Sequence, residues 1–160
     1  MPRPIRPAAH YRADTCFAEP SVGLLMKRIA GSIVAHVDQR LDVYGLTSAQ
    51  WGPLLRLRNV GPSTVVELAR WQQVDPGAMT RLLDRLEKKQ LCKRVRSSTD
   101  RRVVQVELTP AGETAIAQVP EVLVTVLNAH LAGFSRAEWT TLKILLQRMD
   151  ANAESLRGQV

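Results

Sequence analysis

The stretch from Thr64 to Thr109 constrains the fold more than any other part of the chain, because two helix starts and two strands follow one another there without a long break. Thr64 and Glu67 have the spacing of a capping box, in which the hydroxyl accepts an early backbone N–H and the carboxylate reaches back to the cap. Val65, Leu68 and Ala69 then recur at helical spacing. Asp75-Pro76 is a second start: Asp accepts bonds from orphan N–H groups, and Pro suits the first helical position, where its missing N–H is not needed. Met79, Leu82, Leu83 and Leu86 form one apolar stripe, which leaves Gly77, Ala78, Thr80, Arg81, Asp84, Arg85 and Lys88 outward. Leu91, Val95, Val103, Val106 and Leu108 are strand formers, and Val104-Gln105-Val106-Glu107-Leu108 alternates apolar and polar. Ser97-Ser98-Thr99-Asp100 is the turn between the strands. The order is helix, turn, helix, then a hairpin with a basic tip.

A helix with a small first turn and a basic flank suits the major groove of DNA. Arg101 and Arg102, just past the hairpin tip, suit a minor groove. Charge agrees. Between Arg81 and Arg102 nine basic residues face three acidic ones, a local net charge of +6 where the whole chain carries +7. A basic excess concentrated in one module is what phosphate binding requires. The expected DNA contacts are Thr64, Pro76, Gly77, Ala78, Thr80, Arg81, Arg85, Lys88, Arg94, Arg96, Ser98, Asp100, Arg101 and Arg102. Of these, Lys88, Arg94 and Arg96 are expected to hold phosphates and Arg81 to read a base edge.

The run Thr80-Arg81-Leu82-Leu83-Asp84-Arg85-Leu86-Glu87-Lys88-Lys89, then Asp100-Arg101-Arg102, then Leu108-Thr109-Pro110-Ala111-Gly112, resembles the MarR family of bacterial winged-helix transcription regulators. Gly45-Leu46-Thr47-Ser48-Ala49-Gln50-Trp51 matches that family as well. The resemblance implies a mainly α fold with a small β-hairpin wing, a winged helix-turn-helix joined to a helical dimerisation lobe. It also implies a homodimeric repressor on double-stranded DNA with a pseudo-palindromic operator, released by a small aromatic carboxylate or phenolic effector. By position, Arg81 resembles the base-reading arginine, Arg102 the wing arginine of the minor groove and Asp100 its positioning partner. One departure stands out: the family usually has Gly, the common left-handed helix cap, where this chain has Gln90.

The rest of the chain is expected to build the other lobe. Residues 1–20 hold four prolines and cannot form one helix, so an irregular arm is expected, with a short turn around Thr15. From Ser21 to about Tyr44, Val22, Leu25, Ile29, Ile33, Val37 and Leu41 recur at helical spacing. Thr47 and Gln50 open a helix to about Leu57 that Pro53 should bend, with Trp51 beside the bend, either as a core residue of the kinked helix or as a wall for an effector ring. His36 and Arg28 on the preceding helix are the candidate partners for an effector carboxylate. A strongly apolar helix from Pro110 to about Leu131 should kink at Pro120. Ser135 and Glu138 then cap a last helix carrying Trp139, Leu142, Ile144, Leu145 and Met149. The expected division is an arm over residues 1–20, a dimerisation lobe over 21–46 and 110–160, and the DNA-binding module over 47–109. More apolar helix lies outside the module than the module can cover, which argues for a second copy of the chain.

No metal-ligand spacing, phosphate loop or nucleophile–base motif is present, so no enzyme, metal or cofactor is expected. Two cysteines make no disulfide framework, and no apolar run approaches the roughly 18 residues of a membrane span. A cytoplasmic protein is expected. The rival readings are a redox-sensing regulator using Cys16 and a non-specific architectural DNA-binding protein.

Overall fold

Residues 8–14, 19–96 and 100–157 are described by the computed structural model, so the turn around Thr15, Cys16 and Ser98 lie outside the described residues. The first helix, α1, spans Val22–Leu41. Its orphan N-terminal donors are satisfied locally: the Leu24 N–H donates to Ser21 Oγ (3.1 Å) and the Val22 N–H to the Tyr11 hydroxyl (2.8 Å). The helix was expected to reach Tyr44; instead its last turn tightens into a 3₁₀ turn at Asp42–Tyr44, and Gly45 takes the left-handed conformation at φ 67°.

Helix α2, Ser48–Val60, carries Pro53 inside it without ending there. Helices α3 (Val65–Gln72) and α4 (Pro76–Lys88) start at the two expected caps. Thr64 Oγ1 accepts from the Glu67 N–H at 3.2 Å, and Asp75 Oδ1 accepts from the Ala78 N–H at 3.0 Å. Both helices end in the same way, with a glutamine at positive φ: Gln73 at 57° and Gln90 at 59°. Behind Gln90, its own N–H reaches the Glu87 carbonyl (2.9 Å) and the Leu91 N–H reaches Leu86 (3.0 Å), the paired bonds of a Schellman cap. Gln90 therefore does the work of a glycine at a steric cost. We expect Gln90→Gly to stabilise the fold by about 0.5–1 kcal/mol, a rise of roughly 2 °C in the melting midpoint by calorimetry. An unchanged or lower midpoint would show that the Gln90 side chain repays the strain.

Strands β1 (Cys92–Arg96) and β2 (Val104–Leu108) pair antiparallel, with Cys92 opposite Leu108 and Arg96 opposite Val104. The hairpin is fastened to the helical part through Ser63, just before α3, which exchanges two backbone bonds with Val106 (3.1 and 2.8 Å). Val106 is fully buried.

The single helix expected from Pro110 to about Leu131 is two: α5 (Pro110–Ile116) and α6 (Val119–His130). Pro120 has no N–H for the Ile116 carbonyl, and its ring collides with that carbonyl in a continuous helix. The chain breaks at Ala117-Gln118, so Pro120 falls in the first turn of α6, where the missing donor costs nothing. The expected kink is thus a full break just upstream. Helix α7 spans Arg136–Arg157 behind the Ser135–Glu138 capping box, in which Glu138 Oε2 accepts from the Ser135 N–H (2.8 Å) and hydroxyl (2.7 Å).

Two compact units result: residues 32–127, and residues 1–31 with 128–160. The unit of residues 32–127 contains the module expected over 47–109 and extends beyond it at both ends. Val37 and Leu41 of α1, and Ile116, Val119 and Val126 of α5 and α6, share one core with Leu54, Leu57, Leu68, Met79, Leu83 and Leu86. The module that holds the recognition helix therefore takes in half of α1 and most of α6. In the other unit the large apolar side chains are mostly exposed, among them Leu24, Leu25, Ile29, Ile144, Leu145 and Met149.

Candidate nucleic-acid interface

Helix α4 presents its buried stripe (Met79, Leu82, Leu83, Leu86) to the core, which leaves Pro76, Gly77, Thr80, Arg81, Arg85 and Lys88 exposed. Gly77 keeps the first turn open: a Cβ there would come 2.9 Å from Asp75 Oδ1 and 3.7 Å from Arg81 Nη1. The second distance places the Arg81 guanidinium back over the helix start, one turn before its own Cα, as helical side chains lean. A bare glycine beneath an arginine fork leaves the fork open to a base edge.

The cations of this module fall into two groups. Among the described residues, Arg81, Arg85, Lys88, Arg96, Arg101 and Arg102 make no ion pair and are all exposed. They are available to phosphates. Lys93 and Arg94 instead pair with acids of the chain. Lys93 pairs with Glu107 across the hairpin at 3.4 Å. Arg94 was expected to hold a phosphate; its Nη2 instead lies 2.8 Å from Asp84 Oδ1 and its Nη1 2.6 Å from Glu87 Oε2. Its main-chain N–H also donates to Glu87 Oε1 at 2.9 Å. Partial burial opposes the Arg94 charge, yet the two carboxylates outweigh it and push its pKa up. The arginine ties the first wing strand to the recognition helix and neutralises two acids on that helix.

Thr64 is also engaged within the chain. Its N–H and hydroxyl both donate to Glu67 Oε2 (2.7 and 2.8 Å), and these bonds hold Glu67 below the usual carboxylate range. Its donors complete the α3 cap. At the wing tip, Asp100 Oδ1 accepts from the Arg102 N–H at 2.9 Å, and the Asp100 carbonyl accepts from the Val103 N–H at 2.9 Å. Asp100 therefore positions Arg102 through the main chain and leaves its guanidinium outward. Sequence reasoning missed the role of Lys89, whose Nζ donates to the Gly45 carbonyl (3.0 Å) and to Gln50 Oε1 (3.4 Å). That contact joins the end of α4 to the turn between α1 and α2. Only the basic character of Lys89 was visible in the sequence, because its partner lies 44 positions away.

Of the expected effector residues, Trp51 and His36 lie in the unit of residues 32–127 and Arg28 in the other. Trp51 is half-buried against the core, and its indole N–H is buried with no acceptor. His36 is exposed, with Nδ1 2.7 Å from the Ser32 carbonyl. Arg28 is exposed and belongs to the other unit. One open cavity lies between Arg40, Tyr44, Gln118, Glu121, Val122 and Thr125; another is lined by Asn128, Leu131, Phe134, Ser135, Arg136 and Trp139. Neither includes Arg28, His36 or Trp51. Cys92 is buried, and burial pushes its pKa up to about 11, so its thiol stays protonated and unreactive at neutral pH.

The sequence pattern of the MarR family matches residues 46–104, the segment that runs from just before α2 through β1 to the first residue of β2. Similar solved structures extend over most of the chain. The transcriptional regulator PA3341 is 32% identical and superposes with a TM-score of 0.78 over 84% of this chain and 99% of its own. A cysteine-to-serine mutant of MarR from E. coli, solved with operator DNA, is 29% identical, with a TM-score of 0.74 over 80% of this chain and 92% of its own. BpsR of Bordetella bronchiseptica, whose DNA binding is regulated by 6-hydroxynicotinic acid, is 27% identical, with a TM-score of 0.72 over 81% and 98%.

Proposed function

Since the chain belongs to the MarR family of winged helix-turn-helix transcription regulators, we propose that it is a homodimeric repressor that binds a pseudo-palindromic operator and leaves it when a small aromatic acid or phenol binds. The observation that carries the DNA reading is the group of unpaired, exposed cations on α4 and the wing, set beside the acid-paired Lys93 and Arg94. Arg81 reads a base edge in the major groove, Arg85, Lys88 and Arg96 hold phosphates, and Arg102 follows groove width. The exposed apolar side chains at the start of α1 and along α7 support a second copy as their cover. Two recognition helices related by a two-fold axis then meet half-sites about one helical turn apart. The effector class is supported by BpsR, which responds to an aromatic acid.

The test is a comparison of two DNAs. A site selected from a random-sequence pool is titrated in a gel shift beside unselected DNA of the same length. Arg81→Ala is expected to weaken the selected site by about 1–3 kcal/mol, roughly 5- to 150-fold, and to leave unselected DNA nearly unaffected. Equal losses on the two DNAs would show that Arg81 holds only phosphate.

A further inference from the structure

We propose that Lys89 is a positioning residue for DNA reading: its ammonium fixes the tilt of α4 against the corner between α1 and α2, and so sets where Arg81 meets a base edge. Lys89 caps the C-terminal end of α4, and its Nζ donates to the Gly45 carbonyl at 3.0 Å and to Gln50 Oε1 at 3.4 Å. Neither acceptor carries a charge, so these are charge-assisted hydrogen bonds and not an ion pair. Arg81 lies earlier on the same helix, roughly 12 Å away along the axis at about 1.5 Å per residue.

The corner that receives Lys89 is itself firmly set. Gly45 is held in the left-handed conformation, and its N–H donates to the Asp42 carbonyl at 2.8 Å. The Leu46 N–H donates to the Leu41 carbonyl at 3.3 Å, and the Leu46 side chain is buried in the core. Ser48 is tied back to α1, because its N–H and its hydroxyl (3.1 Å) both donate to the Asp38 carboxylate. Gln50 is buried and completes the α2 capping box, its Oε1 also accepting the Thr47 N–H at 3.4 Å. The two acceptors of Lys89 therefore form a fixed post for the helix end.

The other holds on α4 leave its tilt less defined. Its buried stripe sets how deep the helix sits, but apolar contact is non-directional. Arg94 ties α4 to the wing, which would turn with it. The bonds of Lys89 run instead from α4 to the α1–α2 corner, and they are directional. A tilt of about 3° about the C-terminal end moves the first turn of this 13-residue helix by roughly 1 Å. An arginine fork that must meet two acceptors on one base edge needs both bonds aligned, whereas a cation that holds a phosphate only needs to be near it.

The inference rests on the reading of Arg81 as the base contact, and the test separates the two. Gel shifts compare Lys89→Met, Lys89→Arg, Arg81→Ala and the Lys89→Met/Arg81→Ala pair on the selected and unselected DNAs, each below its melting midpoint. We expect Lys89→Met to weaken the selected site by about tenfold and unselected DNA by less than about twofold. Lys89→Arg keeps the charge and the donors and should recover most of the loss. In the pair, Lys89→Met should add almost nothing to Arg81→Ala, because no base contact remains to be misplaced. Residues roughly 12 Å apart without a shared partner would otherwise add. Additive losses overturn the role of Lys89 and leave that of Arg81 standing, as does a Lys89→Met variant that loses thermal stability alone. Equal losses on the two DNAs, with the slope of affinity against salt lowered by about one, make Lys89 a phosphate contact and overturn the inference as well. If Arg81→Ala fails to discriminate between the DNAs, the base-reading assignment falls and takes the role of Lys89 with it.

Discussion

Gly112→Ala is expected to cost about 3 kcal/mol of stability or more, enough to leave much of the chain unfolded at 37 °C. The reason is space, not backbone conformation. A Cβ on Gly112 would lie 2.0 Å from the Leu91 carbonyl oxygen, 2.7 Å from Leu108 Cδ1 and 3.0 Å from the Leu91 carbonyl carbon. Backbone cannot turn aside as a long side chain can. The Leu91 carbonyl also accepts the Thr109 N–H (3.2 Å), and the neighbouring Gln90 carbonyl accepts the Thr109 hydroxyl (2.6 Å). Moving Leu91 therefore breaks the joint at which the recognition helix, the wing and α5 meet. Gly52→Ala is the control. Its Cβ would meet only the Gln72 side chain, at 3.7–3.8 Å, and alanine inside a helix gains up to about 1 kcal/mol over glycine. Urea unfolding of the two variants decides the matter, because a Gly112→Ala midpoint close to wild type would mean that the joint has slack that these contacts do not show.

The second large effect is expected from Arg94→Met, and it should have a different signature from Arg81→Ala. Losing the guanidinium exposes Asp84 and Glu87, unneutralised, on the same helix as Arg81 and Arg85. Two uncompensated acids beside the phosphates repel any DNA, whatever its sequence. The wing strand also loses its tie to α4, since the Arg94 side chain reaches both carboxylates and the Thr80 carbonyl (3.5 Å). We expect affinity for selected and unselected DNA to fall together, by about tenfold or more at low salt. The loss of stability should be only about 1 kcal/mol, because the partners are a third to a half exposed and solvent screens the pair. Adding Asp84→Asn and Glu87→Gln should restore much of the DNA binding. If Arg94→Met instead lowers the slope of affinity against salt by about one and the added substitutions restore nothing, Arg94 holds a phosphate after all.

Much of the fold was legible from residue order. The starts of α3, α4 and α7 are set by Thr64 with Glu67, Asp75 with Pro76, and Ser135 with Glu138, and each cap bonds residues three apart. The buried face of α4 follows from the spacing of Met79, Leu82, Leu83 and Leu86. The Arg81-to-Arg102 charge excess marked the DNA-binding module for the same reason: it is a property of neighbours along the chain.

Other features depended on closure of the fold. Residue order does not say which of the nine basic residues in that stretch is paired within the chain, whereas the structure engages Lys89, Arg94 and Lys93 with partners 44, 10 and 14 positions away and leaves the arginines of the α4 face and the wing tip open. Pro120 announced a disturbance, but a break at Ala117-Gln118 could be located only once Ile116 and Val119 were both committed to the core. The need for glycine at Gly112 comes from a carbonyl 21 residues earlier. Arg40 and Glu121 line one cleft although no spacing rule connects them. Caps and stripes are bonds and contacts between near neighbours, so residue order determines them. Which charge is paired, which glycine is crowded and which walls face each other depend on distances between remote segments, and only the packed core sets those distances.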